Sequence, residues 1–452
     1  MSLPSPLMRR EIIDALRMGA VPRRGLEHFA VGLSRFEAMV DEELDAVASR
    51  QGKFKAVQGE YGTGKTFYSR WLEHRARERG FATALVQISE TETPLYRMET
   101  VYRRAIDSLQ TKECSEGAFR SLIDAWFYRL EEEVLTGGKV DANDPKAIAA
   151  AVGELLEQRL AVVSATQPHF AAALRAAHTA RLADDHATSE GLIAWLMGNP
   201  NIGASIKNAA RVKGEIDHLG ASGFLRGLLE VLQQTGRKGL VLVLDEVETI
   251  QRVKSDSREK SLNAIRHLID DLSAGVYPGL YVQITGTEKF FEGPQGVQRS
   301  TALAQRLAVH FNPNPRFDNY KAVRVRLLPF SLERLVEVGQ RIRALYPATD
   351  SARLAARVDD AYLRQLAEAV AGKLGGKIGV APRIYLKILV DVLDCVEQHA
   401  DFDPRRDYAI SINAVELTDV ERTAAGQGPS IDDIALDLDV PPTKPDPNDK
   451  LP

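Results

Sequence analysis

Cysteine is scarce. Cys114 and Cys395 are the only two in 452 residues, far apart and in no metal-ligand spacing. A disulfide scaffold or a cysteine-bound zinc is therefore not expected, and a reduced protein is. Long apolar runs are missing too: none approaches the roughly twenty residues of a membrane-spanning helix. The first ten residues lack an apolar core followed by a cleavage site, so a cytoplasmic rather than exported protein is expected, without a membrane partner. Blocks of one charge sign are also absent outside the C-terminus. The net charge is −4, and the stretch from Ala424 onward, with six aspartates against two lysines, carries all of it. The rest is balanced, which neither excludes nucleic-acid binding nor argues for it.

What is present is an ordinary globular composition, 44% hydrophobic and 27% charged, at a length that suggests two or three domains. One stretch stands apart. Gly59-Glu60-Tyr61-Gly62-Thr63-Gly64-Lys65-Thr66 fits G-x-x-x-x-G-K-[ST], a loop that holds nucleotide phosphates. Its glycines let successive N–H groups turn inward as a nest for anions. Lys65 has the reach for β- and γ-phosphates, and the Thr66 hydroxyl suits Mg²⁺. Residues 54–58 before it read as a strand. Phe67, Trp71, Leu72 and Ala76 after it recur at helical spacing until Gly80, so a helix N-terminus faces the phosphates. ATP and Mg²⁺ are the expected ligands.

The apolar run 240–244 ends in Asp245-Glu246. A buried parallel strand delivers such acids rigidly to its C-terminal tip, where ligands of these sheets bind. Asp245 is the expected Mg²⁺ residue, and Glu246 would orient or deprotonate the attacking water. Three further signals are weaker. The strand 280–285 runs into Gly286-Thr287, which offers Thr285 or Thr287 to the γ-phosphate, with a helix cap or turn as the alternative duty. Arg306 precedes a strand at 322–328 and could reach a neighbouring subunit's phosphates; Arg299 competes for that role, and an inessential surface arginine is the alternative. Arg383, after Gly379-Val380-Ala381-Pro382, opens a helix whose apolar face is Ile384, Ile388, Leu389, Val392, Leu393 and Val396. An arginine in a first turn opposes the helix dipole, which suggests service to a ligand.

The coarse pattern predicts an α/β fold: a parallel sheet flanked by helices, with a helical insertion. Residues 1–50 form a helical lead-in, 51–112 and 215–330 the nucleotide core, 113–214 the insertion, 331–420 a C-terminal helical region and 421–452 a disordered acidic, proline-rich tail. Within the insertion, Trp126, Phe127 and Tyr128 read as core filling. Arg252, Lys254, Arg258, Lys260 and Arg266 form a basic cluster that could meet DNA phosphates, but interleaved Asp256 and Glu259 make it a solvated helix face.

Taken in order, these motifs resemble the AAA+ P-loop ATPases. The resemblance implies a C-terminal helical lid, Thr285 as sensor one, Arg306 as arginine finger, Arg383 as sensor two, and Val31-Gly32 packed near the adenine. Arg17-Met18-Gly19-Ala20-Val21-Pro22, Gly25-Leu26, Val31-Gly32, Phe67 after the loop, Pro94-Leu95 and Val101-Tyr102 resemble the ATP-binding proteins of bacteriophage exclusion (BREX) systems, of the shorter BrxD type. That likeness spans roughly residues 11–398. It implies a bacterial cytosolic ATPase acting with other defence proteins to restrict phage DNA; direct DNA contact stays open, as does a homo-oligomer, which Arg306 acting on a neighbouring subunit would require. A hydrolysing switch, a non-catalytic ATP-bound adaptor and a DNA-engaging loader all fit the residues, and Glu246 favours hydrolysis.

Overall fold

Five short strands carry the apolar runs. In the computed structural model, which describes residues 3–138, 140–141, 143–374 and 382–410, they are β1 (Lys53–Gln58), β2 (Ala82–Gln87), β3 (Leu240–Asp245), β4 (Leu280–Gly286) and β5 (Arg324–Arg326). They pair in the order β2-β3-β4-β1-β5, and every neighbouring pair is parallel. All five C-terminal tips therefore share one edge of the sheet. Because β4 lies between β1 and β3, its tip separates the strand that feeds the glycine loop from the strand that ends in Asp245.

Strand residues alternate between faces, and here the alternation decides chemistry. On β3, Leu240, Leu242 and Leu244 join one core while Val241 and Val243 join the other. Asp245 has the parity of the second set. On β4, Tyr281 belongs to that same second core, and Gln283 and Thr285 share its parity. The glycine-loop helix, α3 (Lys65–Glu78), lies on that face.

Helices cover both faces. α1 (Pro6–Arg17), α2 (Ser34–Ala48) and α3 (Lys65–Glu78) precede β2. After it come α4 (Met98–Asp107), α5 (Ala118–Thr136), α6 (Pro145–Thr166), α7 (Pro168–Leu182), α8 (His186–Leu196), α9 (Ala204–Ala209) and α10 (His218–Gln234), with no strand among them. α11 (Ser255–Ser273) follows β3, and short α12 (Glu288–Glu292) and α13 (Thr301–Arg306) follow β4. α14 (Leu332–Leu345), α15 (Ser351–Arg357), α16 (Asp360–Lys373) and α17 (Pro382–Gln398) come after β5. One core unites α4, α5, α6, α7, α8, α10 and α11 with Leu240, Val282 and Ile284. The other unites α1, α2, α3 and the helices after β5 with Val57, Val243 and Tyr281. The N-terminal helix thus packs with the C-terminal ones, on the face where α3 starts.

The start of α1 is set locally, while the length of β5 and two exposures depart from expectation. α1 begins at Pro6, because the Ser5 side chain accepts the Met8 N–H and Pro6 takes the first-turn position, where its missing N–H costs nothing. β5 is three residues long, shorter than the apolar run suggested. Trp126 and Phe127 are buried as core, but Tyr128 is 65% exposed: adjacent helical positions cannot all face inward. Arg258 is no solvated member of a basic face. It is buried and donates from Nη2 to Gln251 O and Val253 O, both at 2.9 Å. Positions 379–381 and the acidic tail 421–452 lie outside the described residues. Among the described residues no helix is long and apolar enough to cross a membrane.

Candidate nucleotide site

The glycine loop leaves the tip of β1 and is tied at once to its neighbour, since Gly59 N–H donates to Gly286 O at 3.0 Å. Gly62 and Gly64 have φ of 80° and 89°, a region in which a Cβ is strained. At Gly59 an added Cβ would collide with Thr63 Oγ1, whose hydroxyl donates to Glu60 O at 2.7 Å. The chain then enters α3 directly at Lys65. Lys65 is buried and donates to Gly59 O at 2.9 Å. Its Nζ lies 4.7 Å from the centre of the Tyr61 ring and 3.3 Å from Glu248 Oε1.

The acidic side of the site is built by β3 and β4. Asp245 is buried; its Oδ2 accepts from Thr66 Oγ1 at 3.0 Å and its Oδ1 accepts from Thr285 Oγ1. Thr285 also accepts the Glu246 N–H at 3.0 Å. Glu246 has φ +59°, a left-handed conformation that costs a non-glycine residue on the order of 1 kcal/mol or more and gathers at functional sites. It pivots the chain into a 3₁₀ turn, Val247–Gln251, so its side chain leaves the sheet edge while Asp245 stays within it. Glu246 Oε2 accepts from Gln87 Nε2, at the tip of β2, at 2.9 Å.

Of the two candidate threonines, Thr285 is the one at Asp245. Thr287 is the N-cap of α12, accepting from Phe290 N–H at 3.3 Å. For a divalent cation the donor set is one carboxylate and one hydroxyl, Asp245 and Thr66. Among the described residues no group of three His, Cys, Asp or Glu could hold a metal. Such a sparse set suits Mg²⁺, which takes few protein ligands and keeps water and phosphate oxygens. The residues fit.

Beside the loop lies a cavity of about 290 Å³. Its walls are largely apolar: Leu16, Val21, Phe29, Val31, Phe67, Phe330, Val338 and Leu386 come from α1, the 20–33 segment, α3, the segment before α14, α14 and α17. A polar loop at one end and an apolar chamber at the other match the two halves of a nucleotide. Val31 lines the chamber. Gly32 stands behind it at φ +74°, where an added Cβ would meet the Arg334 guanidinium at 3.3 Å. Arg383, in the first turn of α17, lines the chamber too, beside Gly19. Arg306 does not line it. Its guanidinium grips Asp270 on α11, Nε to Oδ1 at 2.5 Å and Nη2 to Oδ2 at 3.0 Å. Arg299 likewise pairs within the chain, with Glu259 at 3.0 Å.

Burial perturbs two acids nearby. Glu248 is 5% exposed, and desolvation raises its carboxyl above the ordinary range against the pull of Lys65. Glu73, two turns along α3, is pushed up to about 7 by burial, opposed by Arg77. Gln87 and Glu248 escape a reading by motif. The spacing Asp-Glu-x-Glu was the one available signal for Glu248, and Gln87 offered none, because β2 and β3 are distant in sequence and meet only by pairing in the sheet.

A family model described as BREX system ATP-binding protein BrxC/D matches residues 5–412. The chain belongs to that family, and is an ATP-binding protein of the BREX phage-defence system. No curated protein matches it.

Proposed function

We propose that the chain is a Mg²⁺-dependent ATPase of the BrxD type that couples ATP turnover to contacts with other BREX proteins. The observation that carries this reading is the chain of contacts Thr66–Asp245–Thr285–Glu246. It sets a cation-binding pair and a second acid side by side at the strand tips. Simple nucleotide retention has no use for the second acid. Glu246 has the oxygen to take a proton from water, and its Gln87 hydrogen bond fixes its rotamer. Lys65 and the N–H groups of residues 60–66 hold the phosphates. Thr66 and Asp245 would hold Mg²⁺, which would supply neutralisation of phosphate charge. The apolar chamber with Val31 takes the base and sugar, and Arg383 approaches from α17 as sensor two.

In this reading residues 51–112 and 215–330 form an AAA+-like core, with 1–50 leading into it. The helices of 113–214 are an insertion that meets partners, and those from 331 to 420 a lid closing over the nucleotide. Arg306 acts as an arginine finger only by exchanging Asp270 for a neighbouring subunit's phosphate, so self-association would stimulate turnover. The DNA-loader reading is weakened by the burial of Arg258. The test is ATP hydrolysis by the purified chain with and without Mg²⁺ and duplex DNA, beside Glu246→Gln. Retained ATP binding with turnover reduced about 10²-fold or more is expected of that variant; an unchanged rate overturns the catalytic assignment.

A further inference from the structure

Lys65 already has an anionic neighbour inside the site. Glu248 lies on the 3₁₀ turn beyond Asp245, is 5% exposed, and lines the cavity with Tyr61, Lys65 and Glu246. Its Oε1 is 3.3 Å from Lys65 Nζ, yet neither carboxylate oxygen accepts a well-formed hydrogen bond. A buried carboxylate held by one loose ion pair and a weak contact to its own backbone N–H is expensive to keep. The backbone beneath it is pinned: Thr249 Oγ1 donates to Glu246 O at 2.9 Å, and Arg258 Nη2 holds Gln251 O and Val253 O. What can move is the side chain.

We propose that Glu248 is a built-in counter-ion of Lys65 that a terminal phosphate must displace, and that it thereby sets the preference of the site between nucleoside tri- and diphosphates. The inference rests on the ATP-site reading above. An ammonium has three N–H donors. Gly59 O takes one at 2.9 Å and Glu248 faces a second, which leaves one for a phosphate. A diphosphate needs that one alone. A triphosphate engaging Lys65 through both β- and γ-oxygens needs two, and brings further negative charge against the carboxylate. Glu248 must then turn away, and this cost falls on the triphosphate.

Glu248→Gln keeps the size and removes the charge. Calorimetric titration of the full chain with MgADP and with the non-hydrolysable triphosphate MgAMP-PNP compares the two affinities. In the variant the triphosphate should bind about tenfold more tightly while the diphosphate changes by less than about threefold, so their ratio moves by several-fold. Glu248→Ala should move the ratio the same way, which covers a Gln variant that folds poorly. Equal gains for both nucleotides, or weaker triphosphate binding, overturn the inference and leave the ATP-site reading intact. A wild-type chain that binds neither nucleotide overturns both.

Discussion

Thr285 and Asp245, at the tips of adjacent parallel strands, are joined by a hydrogen bond from hydroxyl to Oδ1. The same hydroxyl accepts the Glu246 N–H at 3.0 Å, so one side chain fixes both acids. Thr285→Val keeps the shape and removes both bonds. Nucleotide affinity should stay within a few-fold, turnover should fall roughly 10-fold or more, and denaturant unfolding should show a loss of about 1–3 kcal/mol. Wild-type turnover in this variant would show that Asp245 needs no such support.

Glu73 makes stability depend on pH. Its carboxyl, pushed up to about 7 by burial, binds its proton more tightly folded than unfolded. The native state holds the extra proton between the ordinary glutamate range and about 7. The contribution to stability is therefore full below the unfolded value and is lost as pH rises through 7. Glu73→Gln should flatten that decline. At pH 8 the variant should be more stable than wild type by about 1–3 kcal/mol, read from urea midpoints at pH 5 and pH 8.

Arg306 and Asp270 provide a test of self-association. Specific activity of the wild type should rise with protein concentration, and that of Arg306→Ala should not. Asp270→Ala frees the guanidinium and should leave the concentration dependence in place. Activity strictly linear in protein, and indifferent to Arg306, would confine this arginine to its own-chain pair, which solvent screens at this exposure.

Gly339, on α14, sits where a Cβ would run into the Tyr385 hydroxyl on α17 and come within 3.2 Å of Leu363 Cδ2. Gly339→Ala should destabilise the protein by about 1–3 kcal/mol through overpacking. Since Val338 and Leu386 on the same two helices line the apolar chamber, ATP affinity should fall as well if that chamber takes the base. A variant with wild-type stability and affinity would mean that the helices part freely.

Local pattern made the nucleotide loop legible: the residues that bend it, charge it and start its helix are consecutive, and so the chemistry is written in one place. Strand β3 could be read for the same reason, as an unbroken apolar run ended by Asp245-Glu246, while β1 and β4 showed as part-apolar stretches that lead into glycine. None of these required knowledge of which strand lies beside which.

Sequence alone therefore determined that the chain binds phosphates and carries an acidic pair on a buried strand. Tertiary structure decided the rest, because the remaining contacts join residues far apart in the chain. Strand order set β4 between β1 and β3, which chose Thr285 over Thr287. Packing of α1 and α17 on the face of α3 brought Val31 and Arg383 to one chamber and left Arg306 with Asp270. The left-handed turn at Glu246 swung Glu248 back toward Lys65, a pairing that no spacing rule contains.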